Sequence, residues 1–282
     1  MKKKLSLFLL ALTIGLTSAQ AQIQTPQSSP AATVSQAIGL GTVTVNYSRP
    51  SLKGRKMFGH QLPYGQIWRT GANQITNLTL STEMTIEGNK VPAGTYGLFT
   101  IPDKTEWTII LNKGADQWGA YTYKEQDDVL RFKVKAQPQK AKVEHFTIQF
   151  ADYTPTSATL SLSWENTGAQ FSISQDPKEQ IMAQIAQEMA KTDIKSGTYL
   201  TASNYYYDNN ENKEDIYKWA KAAVELDSKF WTNFYVARAA ALNGKCEEAI
   251  KYAKAGLKMA QEAGDQAYVI NNQSIIDQCS KK

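Results

Sequence analysis

The sequence predicts a multi-domain chain, an antiparallel β-sandwich or barrel followed by an all-α region. Three observations carry that expectation. Between about Val34 and Ile173 the apolar residues recur with period two, as in strands that bury one face. From Asp176 onward they fall at helical spacing, at Ile181, Ile185 and Met189. Across the same boundary glycine and proline thin out while alanine, lysine and glutamate accumulate. The expected division is a signal peptide over 1–21, a β-domain over 22–175 and a helical domain over 176–282.

The leader comes first. MKKK supplies a positive start, LSLFLLALTIGL an apolar run, and Ala19-Gln20-Ala21 the small-x-small cleavage pattern of a secretory signal peptide. The apolar run is short of the ~20 residues that a membrane span needs. No cysteine follows it to carry a lipid, so the expected product is periplasmic or secreted and has no membrane span. Loss of Lys2, Lys3 and Lys4 takes three from the formal charge of +5, leaving +2. So small a charge, without a basic cluster, argues against a nucleic-acid partner.

The strands follow in order. TVTVNYS puts Val43, Val45 and Tyr47 on one face, and NLTLSTEMTIEG puts Leu78, Leu80, Met84 and Ile86 inside. VPAGTYGLFTIP is a turn feeding a strand, with Pro92 and Gly94 setting the turn. EWTIILN alternates through Trp107, Ile109 and Leu111, and VLRFKVK through Leu130, Phe132 and Val134. EHFTIQF and ATLSLSWEN do the same with Phe146, Ile148, Phe150, Leu160, Leu162 and Trp164. About nine strands are expected.

Asp176-Pro177-Lys178-Glu179 then reads as a helix start, with a capping carboxylate and proline in the first turn. EDIYKWAKAAVELDSKF and EEAIKYAKAGLKMAQEA share one frame displaced by 33 residues, which sets Ala223 on Gly256 and Leu226 on Met259. With FYVARAAALNGK between them, these units resemble the tetratricopeptide repeat, whose period is 34. The resemblance implies stacked helix pairs and a surface for a protein partner. Cys246 and Cys279 are the only cysteines. In an oxidising compartment they are expected to form one disulfide, worth roughly 3–4 kcal/mol for such a loop.

Most catalytic chemistries fail by inventory. Two histidines serve the whole chain; His145 falls on the polar side of its strand and His60 in a loop. No nucleophile motif, zinc ligand set or glycine-rich phosphate loop appears, and no cofactor is implied. Asp208-x-Asn210-x-Asn212 begins like a calcium loop, but Lys213 and Trp219 stand where glycine and a bidentate glutamate belong. Asp116, Glu125, Asp127 and Asp128 flank QWGAYTY and could serve a glycosidase-like hydrolase.

The unusual feature is a concentration of Arg, Asn and aromatic residues in β-domain loops. YSRPSLKGRKMFG carries Arg49 and Arg55, QIWRTGAN carries Trp68, Arg69 and Asn73, and ILNKGADQWGAYTY carries Asn112, Trp118 and Tyr121. Arginine forks grip anions or carbonyls bidentately, asparagine donates and accepts, and aromatic rings make walls. These are the components of a glycan, peptide or anionic-ligand site. The same components also brace loops by satisfying main-chain carbonyls, and both readings stand at this stage.

These blocks carry a resemblance. RPSLKGR, LPYGQIWRTGAN, AGTY-LFTIP and LNK–WGAY, over about Val34 to Phe171, look like the exported bacterial family named for domain of unknown function 2911. Its motif residues fall here on Arg49, Gly54, Arg55, Trp68, Arg69, Gly71, Asn73, Asn112, Trp118 and Gly119. A tetratricopeptide-like region after the β-domain is similar to what such proteins often carry. The resemblance implies a domain and no activity. The expected function is a non-enzymatic binding module with a polar-aromatic pocket. The alternatives are an envelope glycan or peptide hydrolase using loop carboxylates, and a structural interaction scaffold.

Overall fold

The computed structural model describes residues 25–281, and the expected leader over 1–21 lies outside the described residues. Eleven strands precede six α-helices among those residues. One sheet runs, in spatial order, β1 (Ala31–Ile38), β2 (Gly41–Ser48), β3 (Thr76–Leu80), β6 (Gly94–Ile101), β7 (Glu106–Asn112) and β8 (Asp128–Lys135). The other runs β5 (Asn89–Val91), β4 (Met84–Ile86), β11 (Thr167–Ser174), β10 (Ser157–Glu165) and β9 (Val143–Thr154). The strand pairs are antiparallel, and neither sheet closes on itself. The architecture is therefore a sandwich and not a barrel.

One core lies between the two sheets. Val43, Val45, Leu78, Leu98, Trp107 and Ile109 from the first meet Ile86, Phe146, Ile148, Leu160, Trp164 and Phe171 from the second. NLTLSTEMTIEG, which alternates as though it were one strand, divides between the sheets as β3 and β4. The chain leaves the first sheet at Ser81, whose Oγ accepts the Thr42 N–H at 2.7 Å and whose N–H donates to the Thr42 carbonyl at 3.0 Å. Alternation survives the crossing because both sheets turn their inner faces to the same core. A smaller cluster occupies the outer face of the first sheet, where Phe99 and Ile110 lie with Ile75, next to Ile67, Ala120 and Tyr123.

Contacts divide the chain into two compact units, the first ending at Gln175 and the second starting at Asp176. The second contains α1 (Lys178–Met189), α2 (Ser196–Asp208), α3 (Lys213–Leu226), α4 (Phe230–Leu242), α5 (Cys246–Ala263) and α6 (Gln266–Ser280). Asp176 Oδ1 accepts the Lys178 N–H at 2.9 Å, opening α1, and Asn212 caps α3 through the Glu214 N–H. Each helix packs on the next, and α4 also meets α2 and α6. Gly256 lets α6 pack closely: a Cβ there would lie 2.6 Å from Oδ1 of the buried Asn272, whose side chain would have to shift. No helix among the described residues is long and apolar enough to cross a membrane.

The cysteine expectation needs correction. No disulfide joins Cys246 to Cys279 in the structure. Both residues belong to the apolar cluster formed with Ala237, Ala249, Ala253 and Ile275, where a cysteine side chain packs as a small hydrophobe.

Candidate functional site

QIWRTGAN is built as a loop pinned at both ends by the first sheet. Trp68 takes the place beside β6 that β3 would occupy if it ran further: its N–H donates to the Thr100 carbonyl at 2.8 Å, and the Thr100 N–H returns at 2.9 Å. The chain then bulges out and rejoins β3 at Thr76, whose N–H donates to the Arg69 carbonyl and whose Oγ1 donates to the Thr70 carbonyl. Closing so short a loop forces the backbone into positive φ at Thr70 (57°) and Asn73 (60°). That conformation is uncommon for any side chain and rarer still for a β-branched one. Thr70 is held there by full burial and by its Oγ1 bond to Thr100 Oγ1. At Gly71 a Cβ would meet Thr76 Oγ1 at 3.0 Å and the Ser48 carbonyl at 3.1 Å, so glycine is required.

Trp68 anchors this loop in the core. Its ring is 5 % exposed, stacks on Trp164 at 17° and 5.8 Å, and meets Phe58, Trp107 and Phe146 edge-on. Its Nε1–H donates to the Gly71 carbonyl at 3.0 Å. Asn73 ties the loop to the preceding chain through its Nδ2, which donates to Gln27 Oε1, the Ser29 carbonyl and Ser48 Oγ.

The RPSLKGRKMF segment is fixed from the opposite side by two carboxylates. Glu144 Oε1 accepts the Lys53 N–H at 2.8 Å, and Glu165 Oε2 accepts the Met57 and Phe58 N–H groups at 3.1 and 3.2 Å. Arg55 folds back on its own turn, donating to the Leu52 and Ser51 carbonyls. Arg49 reaches across to β9, where it donates to the Phe146 carbonyl and Thr147 Oγ1. Ser51 Oγ lies 2.9 Å from His145 Nδ1.

A cavity of about 630 Å³ opens between these two loops and residues Ser28 and Ser29. Lys53, Arg55 and Arg69 line it, with Gln61 and Ser51 as neutral polar groups and Met57, Leu62, Trp68 and Trp164 as apolar wall. Among the described residues, no Asp or Glu lines it. Arg69 is half-buried, its Nε is covered, and that atom has no hydrogen-bond partner among the described residues. Lys53, Arg55 and Arg69 take part in none of the ion pairs found among the described residues.

Of the residues singled out in the sequence, Arg55, Trp68 and Arg69 thus come together at one cavity, with Arg49 and Asn73 bracing the loops beside it. The LNK–WGAY residues lie elsewhere. Asn112 is buried and donates to the Lys124 carbonyl and Asp128 Oδ1, while its own Oδ1 accepts the Gly114 N–H. Asp128 also accepts from Tyr123 and Arg131. Burial, and then the bond to Asp128, pushes the Tyr123 phenol up to about 12. Trp118 and Tyr121 are 62 % and 87 % exposed and do not line the cavity. The lining residues Lys53, Gln61, Ser28 and Ser29 were not singled out. Lys53 was within reach, since it sits in the RPSLKGR block, whereas nothing in their pattern marks the two serines.

The model of one family, described as protein of unknown function (DUF2911), matches residues 29–173. That span holds every residue lining the cavity except Ser28. No curated protein and no solved structure matches the chain. The chain belongs to the DUF2911 family of proteins of unknown function, and the cavity lies in the part that makes it a member.

Proposed function

We propose that this chain is an exported, non-enzymatic binding module. Its ligand site is the cavity between the WRTGAN and RPSLKGR loops, and its tetratricopeptide-like helical unit contacts a protein partner. The observation that carries this reading is Arg69: a residue on a strained, core-anchored loop that lines the cavity, whose covered Nε has no hydrogen-bond partner and which joins no ion pair among the described residues. Residues kept in sparsely populated backbone regions cluster at ligand clamps, because the surrounding structure must over-determine them. An arginine whose role was to brace a loop would be spent on main-chain carbonyls, as Arg49 and Arg55 are. A hydrolase of the carboxylate-pair kind needs two carboxylates across one cleft, and among the described residues none lines this cavity.

The test is a thermal-shift screen of the full mature chain against panels of glycans, peptides and anionic metabolites, repeated on Arg69→Ala. A hit should raise the midpoint of the wild type and not of the variant, and the two unliganded midpoints should agree within a few degrees. A hit indifferent to Arg69, or turnover of the compound that binds, would count against the proposal.

A further inference from the structure

We infer that the ligand of this cavity carries a doubly charged oxyanion, a phosphate group in the first place, seated on Arg69 with Arg55 and Lys53 around it. This rests on the reading of the cavity as a ligand site and names the chemistry that fills it.

The charge balance points there. Three cationic side chains line one cavity of about 630 Å³, within the size range of small-molecule sites, and among the described residues no carboxylate shares the lining. The two nearby glutamates, Glu144 and Glu165, are engaged by backbone N–H groups of the RPSLKGRKMF segment and lie outside the lining. Like charges facing one cleft with low-dielectric walls concentrate a positive field and attract anions. A monocarboxylate would offset one of the three charges, whereas a phosphate dianion offsets two and presents more oxygens to the donors.

The donors are also arranged for it. Arg55 spends Nε and Nη2 on the Leu52 and Ser51 carbonyls, at 3.0 and 2.6 Å. Those bonds fix the plane of the guanidinium in advance and leave Nη1 for a ligand, so little ordering remains for binding to impose. The Nε–H of Arg69 is shut from water and has no hydrogen-bond partner among the described residues. An entering oxyanion meets the terminal nitrogens of that fork, and a small swing of the side chain brings Nε–H into the same bidentate contact. The hydroxyls of Ser28, Ser29 and Ser51 and the Gln61 amide supply neutral polar groups around the same space.

The apolar wall disfavours a neutral sugar. Trp68 and Trp164 stack on each other, are packed against Phe58 and Phe146, and are 5 % and 2 % exposed. They give the cavity edges and no free face on which a sugar ring could stack. Recognition therefore falls to the cations.

The experiment is calorimetric titration of the full mature chain with inorganic phosphate and pyrophosphate, beside citrate and glucose, on wild type, Arg69→Gln and Arg69→Lys. Both phosphates should bind and weaken with added salt, and glucose should not bind. Arg69→Gln should lose about tenfold or more in affinity, and Arg69→Lys should fall between, because it keeps the charge without the fork. Lys53→Gln, on an exposed side chain, serves if Arg69→Gln fails to fold, and should weaken both phosphates several-fold. Phosphate binding indifferent to these substitutions, binding of citrate alone, or no binding of either phosphate overturns the inference. A neutral glycan or peptide that binds in an Arg69-dependent way would sink the oxyanion and leave the binding module standing. Silence from every compound, charged or neutral, would sink both.

Discussion

Two loop clusters of the β-sandwich are made from the same kinds of residue and are finished differently. In the LNK–WGAY cluster each polar group named meets another: Asn112 with Lys124, Gly114 and Asp128, and Asp128 in turn with Tyr123 and Arg131. In the WRTGAN–RPSLKGR cluster the backbone is pinned just as firmly, yet Arg69 lines the cavity with a covered Nε that has no acceptor among the described residues. The first cluster is a closed network whose product is stability. The second holds a charged residue in place and leaves its Nε unpaired among the described residues. Under the proposed function, completed pairing and not residue type separates a brace from a binding site.

That contrast can be broken or sharpened by substitution. The largest effect belongs to the anchor that the open cluster stands on. Trp68→Ala removes a side chain enclosed by four aromatic neighbours and should cost about 3–5 kcal/mol by denaturant unfolding, with ligand binding lost as well. Asn112→Ala opens the closed cluster and leaves buried partners unsatisfied, so it should cost about 1–3 kcal/mol. Ligand affinity should stay unchanged, and a loss of both would mean that the clusters are coupled.

A smaller effect lies in alkali. Tyr123 keeps its proton to about 12 when folded, against an ordinary value near 10, so the folded state binds the proton more tightly. Its contribution to stability is intact below pH 10, declines as pH rises past 10, and is lost as pH passes 12. Tyr123→Phe has no proton to lose, so its thermal midpoint should fall less steeply over that window than the wild type's. Equal slopes would show that the network does not hold the phenol.

The fold was legible wherever period two coincided with burial, and β2, β6, β7, β8, β9 and β10 lie where the alternation puts them. The break between β3 and β4 was hidden because the two sheets share one core, so crossing between them does not disturb the pattern. β1 was not resolved as a strand because AATVSQAI alternates without large apolar side chains, and β5 is only three residues long. The loop residues were visible by type, but their pairing was not. Arg49 meets a carbonyl 97 residues away, Asn73 meets Gln27 across 46 residues, and the carboxylates that fix the Lys53–Phe58 backbone come from β9 and β10. Linear spacing cannot supply such contacts, and they decide which cluster is closed.

The central claim is that Arg69 is held for a ligand and not for the fold. The most direct measurement is the denaturant stability of Arg69→Ala without any ligand, set beside Asn112→Ala. The account predicts that Arg69→Ala lies within about 0.5 kcal/mol of the wild type or above it, because the substitution removes a covered donor, Nε–H, that has no partner among the described residues. A loss of about 2 kcal/mol or more, comparable to that of Asn112→Ala, would contradict it and make both clusters braces.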